Sequence, residues 1–363
     1  MLRLKSIDTF RGIAVIAMIW LHLSEWWLSE DSSAFLNIPL VVTQYGFLVS
    51  YQFISGVSRY LFYKTGGTRG KSLENLNKQQ IKREFVVRGL LLLIVGLLYN
   101  SVVAISTSTP SEIWSWFILL AIAFSLIMVT PLLDTSKRTR SFLGIIFLIS
   151  NYVLLLLLQD FDEQGNFFGI LYHILFNPTG LHPILSSFAV FLVGTVVGDI
   201  LYENYYVEVE KEVTKTSLLI KKLIIPIILI GGALVIFVYI INSFDFLNIP
   251  SFYGVVSSLG MSLVLFSIFI LIEEYGLVKT KRNYKFFFYF SYYSLTIYLA
   301  HNILYFLFFE SLNAFSSTLS ITLVILLVGL FLKLAHPKFG NSLSIKKFIS
   351  ILAYRIVTKN DDT

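Results

Sequence analysis

An all-α, polytopic integral membrane protein is the fold class that the sequence predicts. The chain has 363 residues, of which 56% are hydrophobic and only 14% are charged, whereas a soluble domain carries roughly 25% charged residues. The apolar residues fall in blocks of about 18 or more, which is long enough for a helix to cross a bilayer. A membrane β-barrel would show short alternating segments instead.

About ten transmembrane helices are expected, joined by short polar segments. Their approximate ranges are 10–29, 39–62, 87–107, 113–133, 141–159, 183–202, 220–242, 252–273, 286–309 and 315–335. Residues 1–335 then form one ten-span transmembrane domain. Residues 336–363 form a cytoplasmic tail, whose apolar residues at helical spacing indicate an amphipathic helix at the membrane interface.

A third observation, the distribution of basic residues, sets the orientation. All 28 Lys and Arg residues lie in alternate segments, starting with the N-terminal one, or in the adjoining first turns. Loops rich in Lys and Arg stay in the cytoplasm, so both termini are expected there. The outer segments carry only acidic charge, which either favours an amine-bearing partner or is merely solvated. The chain has no cysteine, which excludes a cysteine-thioester intermediate.

The segment "RLKSIDTFRGIAVIAMIWLH" at 3–22 carries ionisable side chains into an apolar span. On a helix, Asp8, Arg11 and His22 share one face, and His22 lies roughly 16 Å above Arg11. Ionisable groups in a span are costly and usually face a protein interior or a wet cavity. The Asp8–Arg11 pair could be a structural lock. His22 could be a buried structural histidine, or Glu25 one turn later could orient it for chemistry.

A second segment, "FSYYSLTIYLAHNILY" at 290–305, repeats this theme in the ninth span. His301 lies in the outer half of that span, at a depth similar to His22, and His182 stands at the outer start of the sixth span. Similar depth does not establish contact, because the azimuth of one helix relative to another cannot be read from sequence. The depths do predict one outer site, reached by a polar channel from a basic inner mouth.

Such a site suits an activated anionic donor from the cytosol and an acceptor outside. A histidine can deprotonate an amine or hydroxyl nucleophile, and a second histidine, a tyrosine or an asparagine can stabilise the oxyanion that forms. Histidine could alternatively carry the acyl group covalently. The inner loop 64–85 contains "GGTRGKS", which is not a Walker sequence. It either holds phosphates through its backbone and Arg69 or Lys71, or is an ordinary positively charged loop.

The two segments also resemble a known family. Residues 3–22 look like the opening signature of the transmembrane acyltransferases, especially heparan-α-glucosaminide N-acetyltransferase and its prokaryotic relatives. In that signature a basic residue precedes Ser-Ile-Asp-x-Phe-Arg-Gly and a span. "YYSLTIYLAHN" at 292–302 is similar to a later stretch that begins Asn-Ser-Leu and ends in histidine, with Tyr293 in place of the asparagine. Between the segments, hydropathy and span order agree.

The resemblance implies an acetyl-coenzyme A donor that binds from the cytosol, a thioester that reaches into the membrane, and transfer to a sugar. By position, Asp8 and Arg11 fall in the entry motif, and His301 matches the second-motif histidine. His22 matches a histidine of the broader O-acyltransferase group, where the heparan enzyme has asparagine. The heparan enzyme also has a histidine in the loop after its first span; residues 23–38 contain none, so a heparan substrate is not carried over.

These observations predict a membrane acyltransferase that moves an acetyl or other short acyl group from cytosolic acetyl-coenzyme A to an extracytoplasmic sugar amine or hydroxyl. The alternative is a transporter or flippase for a small or lipid-linked molecule, which would usually show a mid-span carboxylate or an inverted pair of broken spans. The expected partners are the lipid bilayer, the thioester and the glycan, with a homodimer left open. Neither a metal nor nucleic acid is expected, and the expected location is a prokaryotic plasma membrane.

Each candidate residue has an expected role. The catalytic residues are His22, Glu25 and His301; the donor-binding residues are Asp8, Arg11, Arg69, Lys71, Ser294 and Tyr298; and the acceptor-binding residues are His182 and Asn302.

Overall fold

A computed structural model describes residues 4–31, 47, 49–66, 76–162, 164–176, 182–207, 219–241, 252–276 and 284–359. These residues contain thirteen α-helices joined by 3₁₀ and π turns, and no β-strand among them. The helices are α1 Lys5–Trp27, α2 Ser50–Lys64, α3 Lys78–Thr107, α4 Ile118–Val129, α5 Lys137–Leu158, α6 Phe167–Leu175, α7 Ile184–Tyr202, α8 Ile225–Ile241, α9 Phe252–Glu274, α10 Tyr284–Tyr292, α11 Ser294–Ala300, α12 Ala314–Phe339 and α13 Ile345–Lys359.

Within the described residues, eight helical segments are long and apolar enough to cross a membrane. They correspond to the predicted first span, the third to eighth spans and the tenth. Of the second predicted span, 39–62, α2 is the described part; residues 39–46 and 48 lie outside the described residues. The predicted fold class, an all-α polytopic membrane protein, is confirmed.

The ninth predicted span, 286–309, differs from the expectation because it is not one continuous helix. It consists of α10, a break at Tyr293, α11, and a 3₁₀ turn over His301–Leu307. Side chains from the tail bind the backbone beside the break: Lys346 Nζ donates to the Ser291 carbonyl at 2.7 Å, and Ser344 Oγ donates to the Tyr292 carbonyl at 3.1 Å. A broken helix at membrane depth needs such partners for its backbone polar groups.

The tail helix α13 packs on protein. It contacts α3 and α11, and its apolar residues Ile349, Ala353 and Val357 are buried. The amphipathic pattern is therefore present: part of the apolar face packs on neighbouring helices, and part, with Phe348 and Ile356, stays exposed. Sequence cannot separate these two cases, because a helix lying on lipid and one lying on protein show the same apolar stripe.

The "GTVVG" pattern at 194–198 packs α7 closely against α2. A Cβ atom added to Gly194 would lie 2.2 Å from the Phe53 carbonyl oxygen, and one added to Gly198 would lie 2.8 Å from the Val57 carbonyl oxygen. Only glycine permits so close an approach of the two backbones. Gly12 does the same for α1, since an added Cβ would lie 2.2 Å from the Phe287 carbonyl oxygen on α10.

The first turn of α1 is capped by a carboxylate from α9. Its N-cap residue, Leu4, offers no side-chain hydrogen bond. Glu273 instead accepts from the backbone N–H groups of Lys5 at 2.8 Å and Ser6 at 2.6 Å. A carboxylate there satisfies two unpaired helix amides and complements the helix dipole. This contact fixes the inner end of the helix that carries Asp8 and Arg11.

Glu273→Ala is therefore expected to destabilise the protein by about 1 kcal/mol, the usual cost of losing a helix cap. The measurement is the thermal melting temperature of purified protein in one detergent. Glu30→Ala is the control, because Glu30 is an exposed carboxylate outside α1. A melting temperature for Glu273→Ala equal to that of the Glu30→Ala variant would show that the cap contributes nothing.

The predicted orientation can be tested with single cysteines, because the chain has none of its own. Gly165 is exposed, with open space around it, just before α6; Gln79 is exposed in the first turn of α3. An impermeant thiol reagent added to intact cells should label Gly165→Cys and should label Gln79→Cys only after the cells are opened. The reverse pattern would overturn the assignment of donor and acceptor faces.

Candidate functional site

A cavity of about 250 Å³ lies among α1, α2, α3, α4, α11 and α13. Four basic side chains from four different helices line it: Arg11, Arg59, Arg88 and Lys346. Each lies near the end of its helix that the orientation places in the cytoplasm. The cavity therefore has a basic inner mouth, as the sequence predicts, and Arg11 belongs to it.

The inner mouth is partly balanced by acids. Arg11 Nη1 lies 3.9 Å from Asp8 Oδ1, and Arg11 also donates to Ser58 Oγ. Arg88 Nη1 lies 3.6 Å from the buried carboxylate of Glu84. Lys346 is partly buried; burial, and then the charge of Arg11, lowers its pKa well below the usual value. Four basic side chains therefore converge on this end of the cavity, and groups of this type form strong charge-assisted hydrogen bonds to anions.

Above the mouth, the cavity walls are mostly apolar. Met18, Leu92, Ile118, Leu119 and Ile122 contribute to them. Ser294 and Tyr298 also line the cavity. The Tyr298 ring lies 5.6 Å from the His301 ring, measured between centroids. The cavity thus extends from the basic side chains to Tyr298, which lies beside His301.

The outer histidines form a cluster with Trp26. The ring centroids of His22 and His301 are 5.2 Å apart. The Trp26 ring stacks on both of them, at 5.5 Å in each case. His301 is buried, at 4% exposure, while the His22 side chain is 34% exposed. The structure therefore brings together the two histidines that the sequence could place only at similar depth.

Contacts at both ends of α1 hold the two rings in this arrangement. At the inner end, Ser291 Oγ donates to Asp8 Oδ1 at 3.2 Å. At the outer end, the Leu312 N–H donates to the Trp27 carbonyl, and the Trp27 indole donates to the Leu304 carbonyl, both at 2.9 Å. The first span and the ninth are thus joined above and below the histidines.

Each histidine ring has a defined tautomer in its neutral form. His22 Nδ1 lies 3.3 Å from Glu25 Oε2, and His301 Nδ1 contacts the backbone carbonyl of Tyr298. A carboxylate or carbonyl oxygen only accepts, so Nδ1 carries the proton in both rings. The lone pair is then on Nε2, as a general base requires. Glu25 would also stabilise the imidazolium form of His22, whereas His301 has a neutral carbonyl as its partner.

Two further expected residues border this cluster. Asn302 Nδ2 donates to the hydroxyl oxygen of Tyr99 at 2.7 Å. His182 Nδ1 lies 3.1 Å from Gln52 Nε2. Burial, and then the charge on His22, lowers the pKa of His182 to about 4. His182 is therefore neutral at physiological pH and lies within electrostatic range of His22.

Arg69 and Lys71, expected to bind the donor phosphates, lie outside the described residues. The structure places Arg59, Arg88 and Lys346 at the basic end of the cavity. Sequence reasoning treated these three as ordinary positive-inside or tail residues. One signal could have identified Arg88: it stands inside the predicted third span, where an ionisable residue is unusual. Tyr99 carried no such signal, because tyrosines are common at membrane interfaces.

The described residues contain no group of three or more His, Cys, Asp or Glu side chains that could hold a metal ion. The cluster therefore offers imidazole, carboxylate, phenol and amide groups for chemistry. These groups can move a proton and donate hydrogen bonds to an oxyanion.

Comparison with known proteins identifies the family. The sequence profile described as heparan-alpha-glucosaminide N-acetyltransferase, catalytic, matches residues 3–244. This match covers more than half of the chain, including α1 with Asp8, Arg11 and His22, and it ends before the segment that carries His301. A comparison with curated proteins finds no match. The chain belongs to the family of the heparan-alpha-glucosaminide N-acetyltransferase catalytic domain and is an integral membrane protein of an acetyltransferase family.

Proposed function

We propose that this membrane acyltransferase takes an acetyl group from cytosolic acetyl-coenzyme A and transfers it to an amine or hydroxyl of an extracytoplasmic sugar. The observation that carries the proposal is the connection within the fold. One cavity begins at four basic side chains on the inner side and ends at Tyr298, whose ring contacts His301 of the outer cluster. In this layout, an anionic donor and an outer acceptor would bind on different sides of one site.

The inner mouth fits the donor's phosphate groups. Arg11, Arg59, Arg88 and Lys346 line it, and charge-assisted hydrogen bonds from such groups to phosphate are the strong ones. The apolar walls above the mouth fit the pantetheine arm, which has few charges to solvate. A thioester extended along these walls would place its acyl carbonyl near the ring pair of His22 and His301.

His22 is our choice for the general base. Its Nε2 would take the proton from the acceptor amine or hydroxyl as the new C–N or C–O bond forms. The tetrahedral intermediate then breaks its C–S bond, and the departing thiolate of coenzyme A takes up a proton. Glu25 stabilises the imidazolium between these two steps, which favours His22 over His301 as the base.

His301 suits a positioning role better than oxyanion support. The Nδ1–H of His301 donates a hydrogen bond to the Tyr298 carbonyl. Nε2 of the neutral ring then has no proton and can only accept a hydrogen bond. It could accept from an amide N–H of the donor. The oxyanion needs a donor, and the Tyr99 hydroxyl is suitable: its oxygen accepts from Asn302, so its proton remains available.

The experiment that tests this function is acyl transfer by purified protein. Acetyl-coenzyme A labelled in the acetyl group is incubated with a panel of amino sugars and neutral sugars, and labelled product is separated from the donor. We expect an acetylated sugar and a stoichiometric amount of free coenzyme A. A protein that binds coenzyme A but neither hydrolyses nor transfers the thioester with any acceptor would contradict the proposal.

A further inference from the structure

Gln52 is a buried polar residue at the outer end of α2, beside His182. It lies in the first turn of that helix and is 0% exposed. Its Nε2 lies 3.1 Å from Nδ1 of His182, which stands two residues before α7 and is only partly buried. Buried polar side chains are costly in a membrane protein and commonly belong to a functional site.

The direction of this hydrogen bond follows from the surroundings of the Gln52 amide. Its Oε1 is buried and has no hydrogen-bond partner in the part of the chain that the structure describes. With the amide turned the other way, the unpaired group would be the NH₂, and a buried N–H without a partner is rarer than such a carbonyl oxygen. Nε2 of Gln52 therefore donates to Nδ1 of His182. A ring nitrogen that accepts carries no proton, so neutral His182 carries its proton on Nε2.

This tautomer distinguishes His182 from the two histidines of the cluster. His22 and His301 have Nδ1 against an oxygen atom, so their Nε2 atoms carry lone pairs. Neutral His182 instead offers an N–H at Nε2. The charge on His22 acts on His182, so the two rings lie within electrostatic range of each other. Together they supply an acceptor for the nucleophile's proton and a donor for a second group of the same molecule.

We propose that His182 donates a hydrogen bond from Nε2 to an oxygen of the acceptor sugar, and that Gln52 is the positioning residue that keeps the proton there. The inference rests on the proposed function, and His22 remains the base. The acceptor is then a sugar with an oxygen near the amine or hydroxyl that is acetylated. Without Gln52, either ring nitrogen of His182 can carry the proton, and the Nδ1–H form would turn a lone pair toward the sugar oxygen.

The first test measures the tautomer by nitrogen NMR. Full-length protein with isotope-labelled histidine rings is prepared in detergent micelles, and the His182 signals are identified by their loss in His182→Gln. We expect a protonated Nε2 and an unprotonated Nδ1 in the wild-type protein, and a mixture of the two tautomers in Gln52→Met. A wild-type His182 with its proton on Nδ1 would overturn the inference.

The second test separates a positioning role of Gln52 from a structural one. Gln52→Met should raise the KM for the acceptor sugar by about 3- to 10-fold, the usual effect of losing one hydrogen bond, and should leave the KM for acetyl-coenzyme A unchanged. His182→Gln replaces the ring with an amide whose NH₂ can always donate, so it should retain part of the acceptor affinity. Adding Gln52→Met to His182→Gln should then have little further effect, because there is no tautomer left to fix.

Gln159→Met is the matched control, because it makes the same substitution at an exposed glutamine in the turn after α5 and should change neither KM. If Gln52→Met does not fold, as judged by gel filtration, the wild-type NMR spectrum decides the inference. An unchanged acceptor KM in Gln52→Met, or an equal rise when that change is added to His182→Gln, would overturn the inference and leave the proposed function intact. If wild-type protein acetylated no sugar, the proposed function would fail, and the acceptor contact with it, whatever the tautomer.

Discussion

His22→Ala is expected to lower the single-turnover rate of acetyl transfer by about 10²–10⁴-fold, the usual cost of losing a general base. His22 is the outer histidine whose Nδ1 faces a carboxylate, at 3.3 Å from Glu25. That contact leaves Nε2 with its lone pair and stabilises the ring once it is protonated. Acetyl-coenzyme A binding should be nearly unchanged, because the cations of the inner mouth lie about half a bilayer away.

Two further variants test whether the rate loss in His22→Ala comes from the loss of the general base. Glu25→Gln should lower the rate by a smaller factor, since it keeps the ring and removes only the charge that stabilises the imidazolium. His173→Ala is the matched control, because His173 is an exposed outer histidine near Asp162 and away from the cluster. Transfer by His22→Ala at the wild-type rate, with donor saturating, would make His22 structural and move the base to His301.

Arg11→Ala is expected to weaken acetyl-coenzyme A binding by about 10- to 100-fold, which corresponds to the 1.5–3 kcal/mol of a hydrogen bond to a charged group. Arg11 lines the cavity from the helix that carries His22, and its contacts are a long 3.9 Å approach to Asp8 and a hydrogen bond to Ser58 Oγ. Lys346→Met should give a similar loss, since that side chain lines the same mouth from α13. Calorimetric titration of purified protein with coenzyme A measures both.

The controls distinguish the loss of one contact to the donor from a general disruption of the inner mouth. Lys338→Gln removes an exposed lysine near the inner end of α12 and should leave the affinity unchanged. Wild-type affinity should fall as salt rises, and the slope should be shallower in Arg11→Ala because one cation has been removed. Wild-type affinity in both Arg11→Ala and Lys346→Met would place the donor somewhere other than this cavity.

Sequence reasoning predicted the fold class, which is confirmed, and several residues that the structure brings to the cavity and the histidine cluster. Hydrophobic span length and basic-residue partition are properties of single segments, so they can be read without knowing how segments pack. The shared helix face of Asp8, Arg11 and His22 is such a property, because the geometry of a single helix determines the directions of all three side chains. In the structure, Asp8 contacts the ninth segment, Arg11 lines the cavity and His22 lies beside His301.

The remainder depends on packing between distant segments, which no local pattern encodes. The break at Tyr293 is stabilised by Lys346 and Ser344, about 50 residues later in the chain. The tail was expected to form an amphipathic helix, and no local pattern indicated that its Lys346 and Ile349 would line the cavity. The cluster of Trp26 with His22 and His301 likewise requires the contacts between the first and ninth spans.

Vectorial transfer across a sealed membrane tests the central claim most directly. Proteoliposomes of one orientation are loaded with an amino sugar, and acetyl-labelled acetyl-coenzyme A is added outside, on the face that carries the inner mouth. The account predicts labelled sugar inside the vesicles, free coenzyme A outside, and at least a 10²-fold slower reaction with His22→Ala. Labelled sugar that forms only when donor and acceptor are on the same side would contradict a site that joins the two faces.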